Sequence, residues 1–105
     1  MAAVANIKIN PPLEGDGEGR LPLQQWLPVM EDYLVIKDLD DIIELAEGHV
    51  YTVAQTRRDN LTKYVLKRNL SEVRRSTVDR LPHASDIWRR LTQVSTPQTI
   101  STHTS

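Results

Sequence analysis

Hydrophobic residues between positions 21 and 43 recur at steps of three and four, which is the period of one face of an α-helix. They are Leu23, Trp26, Leu27, Met30, Tyr33 and Leu34. Pro28 interrupts this stretch, because in a helix interior its ring would clash with the carbonyl group four residues earlier. We therefore expect the first helix to begin near Gln24 or Gln25, with Pro28 in its first turn, or to kink at Pro28.

The same spacing predicts a short helix and then a long one. The short helix is expected to begin at Asp38 and to end at Gly48, with four residues facing inward: Leu39, Ile42, Ile43 and Ala46. The long helix is expected from about Tyr51, with an apolar stripe of Val50, Val53, Ala54, Leu61, Tyr64 and Val65.

Two shorter helical segments complete the pattern. Ser71 is expected to cap a short helix that contains Val73 and Val78 and that ends at Leu81 and Pro82. The last helix is expected over residues 84–94. No alternating pattern typical of strands competes, so the sequence predicts an all-α fold, a compact bundle of four to five helices.

Both ends of the chain differ in composition from this helical part. Residues 1–20 contain Pro11, Pro12 and the acidic, glycine-rich run EGDGEG, and we expect them to form a flexible arm. Residues 96–105 are rich in Ser and Thr and carry no charged Lys, Arg, Asp or Glu, so we expect a disordered tail. The helical domain is therefore predicted to span residues 21–95.

The two tryptophans are the largest side chains available to the core. The 105 residues include no Phe and only 5% aromatic residues, so the core must be largely aliphatic. Trp26 and Trp88 lie on the apolar stripes of the first and last helices, and we expect them to meet. The predicted core anchors are Trp26, Met30, Leu34, Ile87, Trp88 and Leu91.

Charge is divided unevenly along the chain. Residues 1–50 carry three Lys or Arg against ten Asp or Glu, whereas residues 51–105 carry ten against four. This division fits acidic and basic helix faces of one molecule, or subunits that dock head to tail. A candidate interaction surface consists of Arg57, Arg58, Arg74, Arg75, Arg89 and Arg90. Weak RNA binding through the basic second half, from Arg57 to Arg90, is an alternative function, although the isoelectric point near 6.3 argues against it.

The sequence offers no site that we can assign to catalysis. His83, Ser85 and Asp86 are nearly adjacent, and neighbouring side chains on a helix point about 100° apart, so a cap at a helix start is the better interpretation. The chain has no cysteine. The acidic residues from Asp38 to Glu44 lack the glycine and spacing of a calcium loop. We therefore expect no enzyme activity, no metal, no cofactor and no small-molecule substrate.

The chain begins without a basic segment followed by an apolar run, and no window approaches the length of a membrane span. We expect a cytoplasmic protein that does not associate with membranes, with a nuclear location left open.

Spaced landmarks over residues 13–94 resemble the N-terminal part of Gag from copia-type long-terminal-repeat retrotransposons. In that family an apolar residue and a Gly precede a Trp, followed by a Met and a Leu at steps of four. Here these are Leu13 and Gly15, then Trp26, Met30 and Leu34. The family continues with an apolar step into a short helix, which Leu39, Ile42 and Ile43 match here. A later break after the long helix is matched by Leu70 and Ser71. The family's closing pattern is matched by ASDIWRRL at 84–91.

This resemblance implies a structural protein that acts by protein–protein contact. Copia-type Gag forms the shell of particles that package RNA, and its N-terminal region is one helical lobe of the capsid. The resemblance implies self-association or Gag-like partners, and a truncated or diverged remnant of the family. The sequence departs from the family at Pro28 and at His83, where a Thr is usual, and the Trp that often precedes the long helix is missing.

Overall fold

The computed structural model describes residues 10–95, which form five helices and no strand of a sheet. The helices are α1 (Leu23–Ile36), α2 (Asp40–Ile43), α3 (Val53–Arg68), α4 (Glu72–Val78) and α5 (Ala84–Ser95). The all-α prediction is confirmed. The disordered tail predicted over 96–105 and the first nine residues of the predicted arm lie outside the described residues.

Helix α1 begins earlier than expected and continues past its proline. The carbonyl oxygen of Pro22 accepts hydrogen bonds from the backbone N–H of Gln25 at 2.9 Å and of Trp26 at 2.8 Å, which starts the helix at Leu23. Pro28 is thus the sixth helical residue, beyond the first turn where proline is tolerated best. Pro28 is exposed, and it has no N–H to donate to the carbonyl of Gln24.

The second helix is a single turn. Asp38 has a φ of 59°, a left-handed conformation that ends α1, and Leu39 then donates its N–H to the carbonyl of Leu34 at 2.8 Å. Leu39, Ile42 and Ile43 are buried as predicted. Ala46 is exposed, contrary to the prediction, because the helix ends at Ile43 and the chain beyond it turns outward.

The predicted inner face of α3 is largely wrong, although Val65 of the predicted stripe is half-buried and packs against the core. Val53 is 74% exposed and Leu61 is 51% exposed, and the inward positions belong to Asp59, Thr62 and Leu66. Asp59 and Thr62 can occupy the interior because their polar atoms have partners; the Thr62 hydroxyl, for example, donates to the Arg58 carbonyl at 2.7 Å. The hydrophobic pattern predicted that Asp59 and Thr62 face solvent. The predicted orientation of α3 about its own axis was therefore wrong.

Helices α4 and α5 follow the sequence expectations more closely. The Ser71 side chain accepts the N–H of Arg74 at 3.3 Å, as expected of a cap, and Val78 is buried. Val73 is 79% exposed, so it does not contribute to the core as predicted. In α5, Ala84, Ile87 and Leu91 are buried at the expected helical spacing.

The core is closed by the two tryptophans. Trp26 is fully buried, and its indole N–H donates to the carbonyl of Pro12 at 2.8 Å. Trp88 is half-buried and lies against Trp26, with ring centroids 6.3 Å apart and ring planes tilted by 38°. The other predicted anchors, Met30, Leu34, Ile87 and Leu91, are fully buried. Trp26 thereby joins α1, α5 and the segment before α1.

Residues 10–20 do not form a free arm, which corrects the prediction for this part of the chain. Glu14 is buried and forms an isolated bridge with Leu21. Its backbone N–H donates to the Asn69 carbonyl at 2.8 Å, and its side chain accepts the N–H of Ser71 at 3.0 Å. The buried carboxylate of Glu14 thus holds this part of the chain on the start of α4, whereas residues 16–20 are exposed.

Among residues 10–95, no helix has both the length and the apolar composition that crossing a bilayer requires.

We predict that Trp26→Ala lowers the free energy of unfolding by about 3–5 kcal/mol, since a fully buried indole is lost and a cavity remains. Trp88→Ala should cost less because Trp88 is half-buried. Urea denaturation followed by circular dichroism measures both. A Trp26→Ala protein as stable as the parent chain would contradict this account of the core.

Candidate functional site

The start of α5 holds a cluster of polar and aromatic side chains from three segments. His83, Ser85 and Asp86, which the sequence placed together, point to different partners. Asp86 accepts a hydrogen bond from Arg89 at 3.0 Å, and the Ser85 hydroxyl lies 3.5 Å from the Tyr51 hydroxyl. His83 contacts Asp59 of α3 instead. The three residues therefore do not form a catalytic triad.

Asp59 is the residue that organises this cluster, and sequence reasoning missed it. One carboxylate oxygen accepts the backbone N–H of Ala84 at 2.8 Å, and the other lies 2.9 Å from Nδ1 of His83. Asp59 thus satisfies a free N–H at the start of α5 from a distant helix. In the sequence, Asp59 is a charged residue within a predicted helix, and its local pattern does not indicate that it accepts the N–H of another helix.

Aromatic stacking extends the cluster to the start of α3. The Tyr51 ring stacks on the His83 ring at 4.3 Å with planes 10° apart, and it meets the His49 ring edge-on at 5.2 Å. His49 Nε2 lies 3.0 Å from the Gln55 side-chain oxygen, and Gln55 forms a capping box with Thr52. The cluster therefore fixes the loop before α3 against α5.

The acidic segment after α1 is paired with an arginine of α3 through one of its three aspartates. Arg58 Nη1 donates to the Asp41 carboxylate at 2.9 Å, and Nη2 donates to the other carboxylate oxygen and to the Asp38 carbonyl. This hydrogen bonding lowers the pKa of Asp41 and raises the pKa of Arg58. Carboxylate oxygens of Asp38, Asp40 and Asp41 lie within 4.8 Å of one another, and Arg58 supplies the positive charge beside them.

The six arginines of the candidate interaction surface do not act as one group. Arg58 pairs with Asp41, Arg74 lies 3.6 Å from the buried Glu14, and Arg89 pairs with Asp86. The other three are Arg57, Arg75 and Arg90, and of these Arg57 and Arg90 are exposed. The Asp41 and Glu14 pairs join the basic second half to the acidic first half. The division of charge therefore partly serves an intramolecular fit.

A shallow groove of about 260 Å³ lies between α1 and α3. It is lined by Tyr33 and Lys37 from α1, by Leu39, and by Leu61 and Val65 from α3. The Lys37 ammonium lies 5.7 Å from the centre of the Tyr33 ring, and the Arg68 guanidinium lies at the same distance from the Tyr64 ring. The sequence prediction missed this surface because it turned the apolar residues of α3 inward.

Comparison of the chain with protein-family models, with curated proteins and with solved structures gives no match. The resemblance to copia-type Gag therefore stays a hypothesis that depends on the spaced residues of this chain alone.

We predict that Asp59→Ala lowers the free energy of unfolding by about 3 kcal/mol, since it leaves the Ala84 N–H and the His83 ring without their buried acceptor. Asp59→Asn should cost less, because its amide oxygen can still accept the Ala84 N–H. Thermal and urea denaturation measure both. Equal stability of the parent chain and Asp59→Ala would show that this contact does not hold α5.

We also predict an acid dependence from the Arg58–Asp41 pair. The pKa of Asp41 is lowered in the folded chain, so the pair stabilises the fold above the ordinary carboxyl pKa of 3.8, and this stabilisation is lost as the pH falls through the lowered value. The contribution should stay below about 1 kcal/mol, because both side chains are partly exposed. The stability gap between the parent chain and Asp41→Asn should therefore close with falling pH. A gap that widens in acid would contradict this.

Proposed function

We propose that this chain is a structural module that acts by protein–protein contact, of the kind found in the N-terminal lobe of copia-type Gag, and that it is not an enzyme. The observation that carries the proposal is the outer surface of α1 and α3. Large apolar side chains stay exposed there although the core beneath them is closed: Val29 and Ile36 on α1, and Leu61 and Tyr64 on α3. Exposed apolar residues gathered in this way are typical of surfaces that bind other proteins.

The residues that carry the resemblance to Gag lie in a consistent arrangement. Trp26, Met30 and Leu34 share the buried face of α1, and Trp88 of the closing pattern contacts Trp26. Most apolar positions of the family pattern lie in one core here, whereas Leu13 is 41% exposed. This supports a Gag-like lobe, with self-association or Gag-like proteins as the proposed partners and the cytoplasm as the proposed location.

RNA binding has weaker support. A phosphate-binding surface needs cations that are free to approach the nucleic acid backbone. Arg58, Arg74 and Arg89 already contact carboxylates of the same chain. The remaining basic residues share the surface of a small body with fourteen acidic residues, and the net charge is −1. RNA binding therefore stays the second candidate.

We predict that the chain self-associates as its concentration rises. Static light scattering from micromolar to millimolar protein, at low and high salt, should show the mean mass increasing above that of the 12.0 kDa monomer. Apolar contacts should keep the association present at high salt, whereas affinity for RNA would fall steeply with salt. A monomer at every concentration and salt would contradict the proposed function.

A further inference from the structure

The groove between α1 and α3 is bordered by two helical ridges, which together we call the α1–α3 face. On α1 the ridge consists of Val29, Asp32 and Ile36, which lie beside Tyr33 at steps of three and four. On α3 it consists of Arg57, Leu61, Tyr64 and Arg68, at the same steps. All seven side chains are exposed. The face is therefore a largely apolar groove with Lys37 on its α1 wall, bordered by one ridge that carries an acid and one that carries bases.

The two helices run antiparallel. The end of α1 lies near the start of α3, because Arg58 binds Asp41 and the Asp38 carbonyl. The start of α1 lies near the end of α3, because Glu14 bridges Leu21 and also hydrogen-bonds the Asn69 carbonyl. Tyr33 and Lys37 line one wall of the groove and Leu61 and Val65 line the other, and because the helices are antiparallel we align Tyr33 with Val65 and Lys37 with Leu61.

Opposite charges consequently lie at matching levels on the two ridges. Asp32 precedes Tyr33 by one residue and Arg68 follows Val65 by three, so their levels differ by about 3 Å at 1.5 Å per residue. Ile36 lies beside Lys37 and therefore close to the level of Leu61. Arg57, one turn before Leu61, lies at the level of the acidic segment after α1. On the two ridges, Asp32 of α1 thus has the basic Arg68 of α3 as its counterpart, and Ile36 of α1 has the apolar Leu61.

A surface of this kind is complementary to itself. Consider two copies whose α1–α3 faces meet, related by a two-fold axis that runs parallel to the groove. The α1 ridge of each copy then lies on the α3 ridge of the other copy, and each residue keeps its position along the groove. Asp32 then meets Arg68 of the second copy, and Ile36 meets Leu61 of the second copy. Both contacts occur twice, as an isologous interface requires.

We propose that the α1–α3 face is the interface of a two-fold dimer of this chain. The proposal rests on the proposed function, since it assigns the surface through which the protein–protein contact is made. It differs from head-to-tail docking, because an isologous contact closes at two copies. A second copy supplies a partner for both signs of charge on this face, Asp32 as well as Arg68, whereas a nucleic acid would leave Asp32 against phosphates.

The first test compares Leu61→Asp with Val73→Asp. Both place a carboxylate on an exposed apolar position of a helix, but Val73 lies on α4, outside the α1–α3 face. Sedimentation equilibrium of the full chain should show a dimer whose dissociation constant rises at least about tenfold in Leu61→Asp, since a carboxylate would be buried in the apolar centre of the interface. Val73→Asp should match the parent, and circular dichroism checks that all three chains are folded.

The second test uses charge reversal. Asp32→Arg and Arg68→Asp each place like charges against each other twice in a homodimer, and each should weaken it about tenfold. An equimolar mixture of the two variants should form a heterodimer of near-parental strength, because both contacts again join opposite charges. The double variant Asp32→Arg/Arg68→Asp should regain the homodimer. A mixture no stronger than its components would overturn the two-fold arrangement.

The remaining outcomes separate this inference from the proposed function. A parent chain that self-associates equally well with Leu61→Asp overturns the α1–α3 face and leaves the proposed function standing. Assembly into species larger than a dimer, if it persists in Leu61→Asp, also overturns the α1–α3 face and leaves the proposed function standing. A parent chain that is monomeric up to millimolar concentration overturns both. RNA binding that is weakened by Arg68→Asp, in a chain that does not dimerise, overturns the dimer and favours the second candidate function.

Discussion

The buried indole of Trp26 is the contact on which the rest of this structure depends. Its ring fills the centre of the bundle against Trp88, and its N–H holds the Pro12 carbonyl, so one side chain connects the first helix, the last helix and the segment before both. The chain has no phenylalanine and no cysteine, and its other large rings, Trp88 and the three tyrosines, are all less buried than Trp26. The aliphatic residues around it complete the core, and the outer faces of α1 and α3 can stay exposed.

Two buried carboxylates provide the polar counterpart of this core. Glu14 accepts the N–H of Ser71 just before α4, and Asp59 accepts the N–H of Ala84 at the start of α5. In both places a distant segment supplies an acceptor for backbone groups that a helix start leaves unpaired. A carboxylate inside a small protein is costly unless it is bonded in this way. These contacts therefore fix how the short helices dock as well as where they begin.

Much of the fold could be predicted from the sequence, and the errors share a cause. Residues in apolar stripes with a strong helical period, such as Trp26, Met30 and Leu34, were placed correctly, because burial there follows hydrophobicity directly. The inner face of α3 was not, because Asp59 and Thr62 are buried through hydrogen bonds that no local pattern encodes. The packing of Glu14 likewise depends on partners more than fifty residues away.

That same error hid the candidate interface. The sequence prediction turned the apolar residues of α3 inward and therefore predicted no groove. In the structure, Leu61 and Tyr64 of α3 are exposed, as are Asp32 and Ile36 of α1. We infer that the closed tryptophan core leaves the α1–α3 face free to bind a second copy. Amide NMR spectra recorded during dilution test it most directly. Concentration-dependent shifts confined to the α1–α3 face, with the Trp26 indole signal unchanged, are the result this account predicts. Spectra that do not change with concentration, or changes centred on α4, would contradict it.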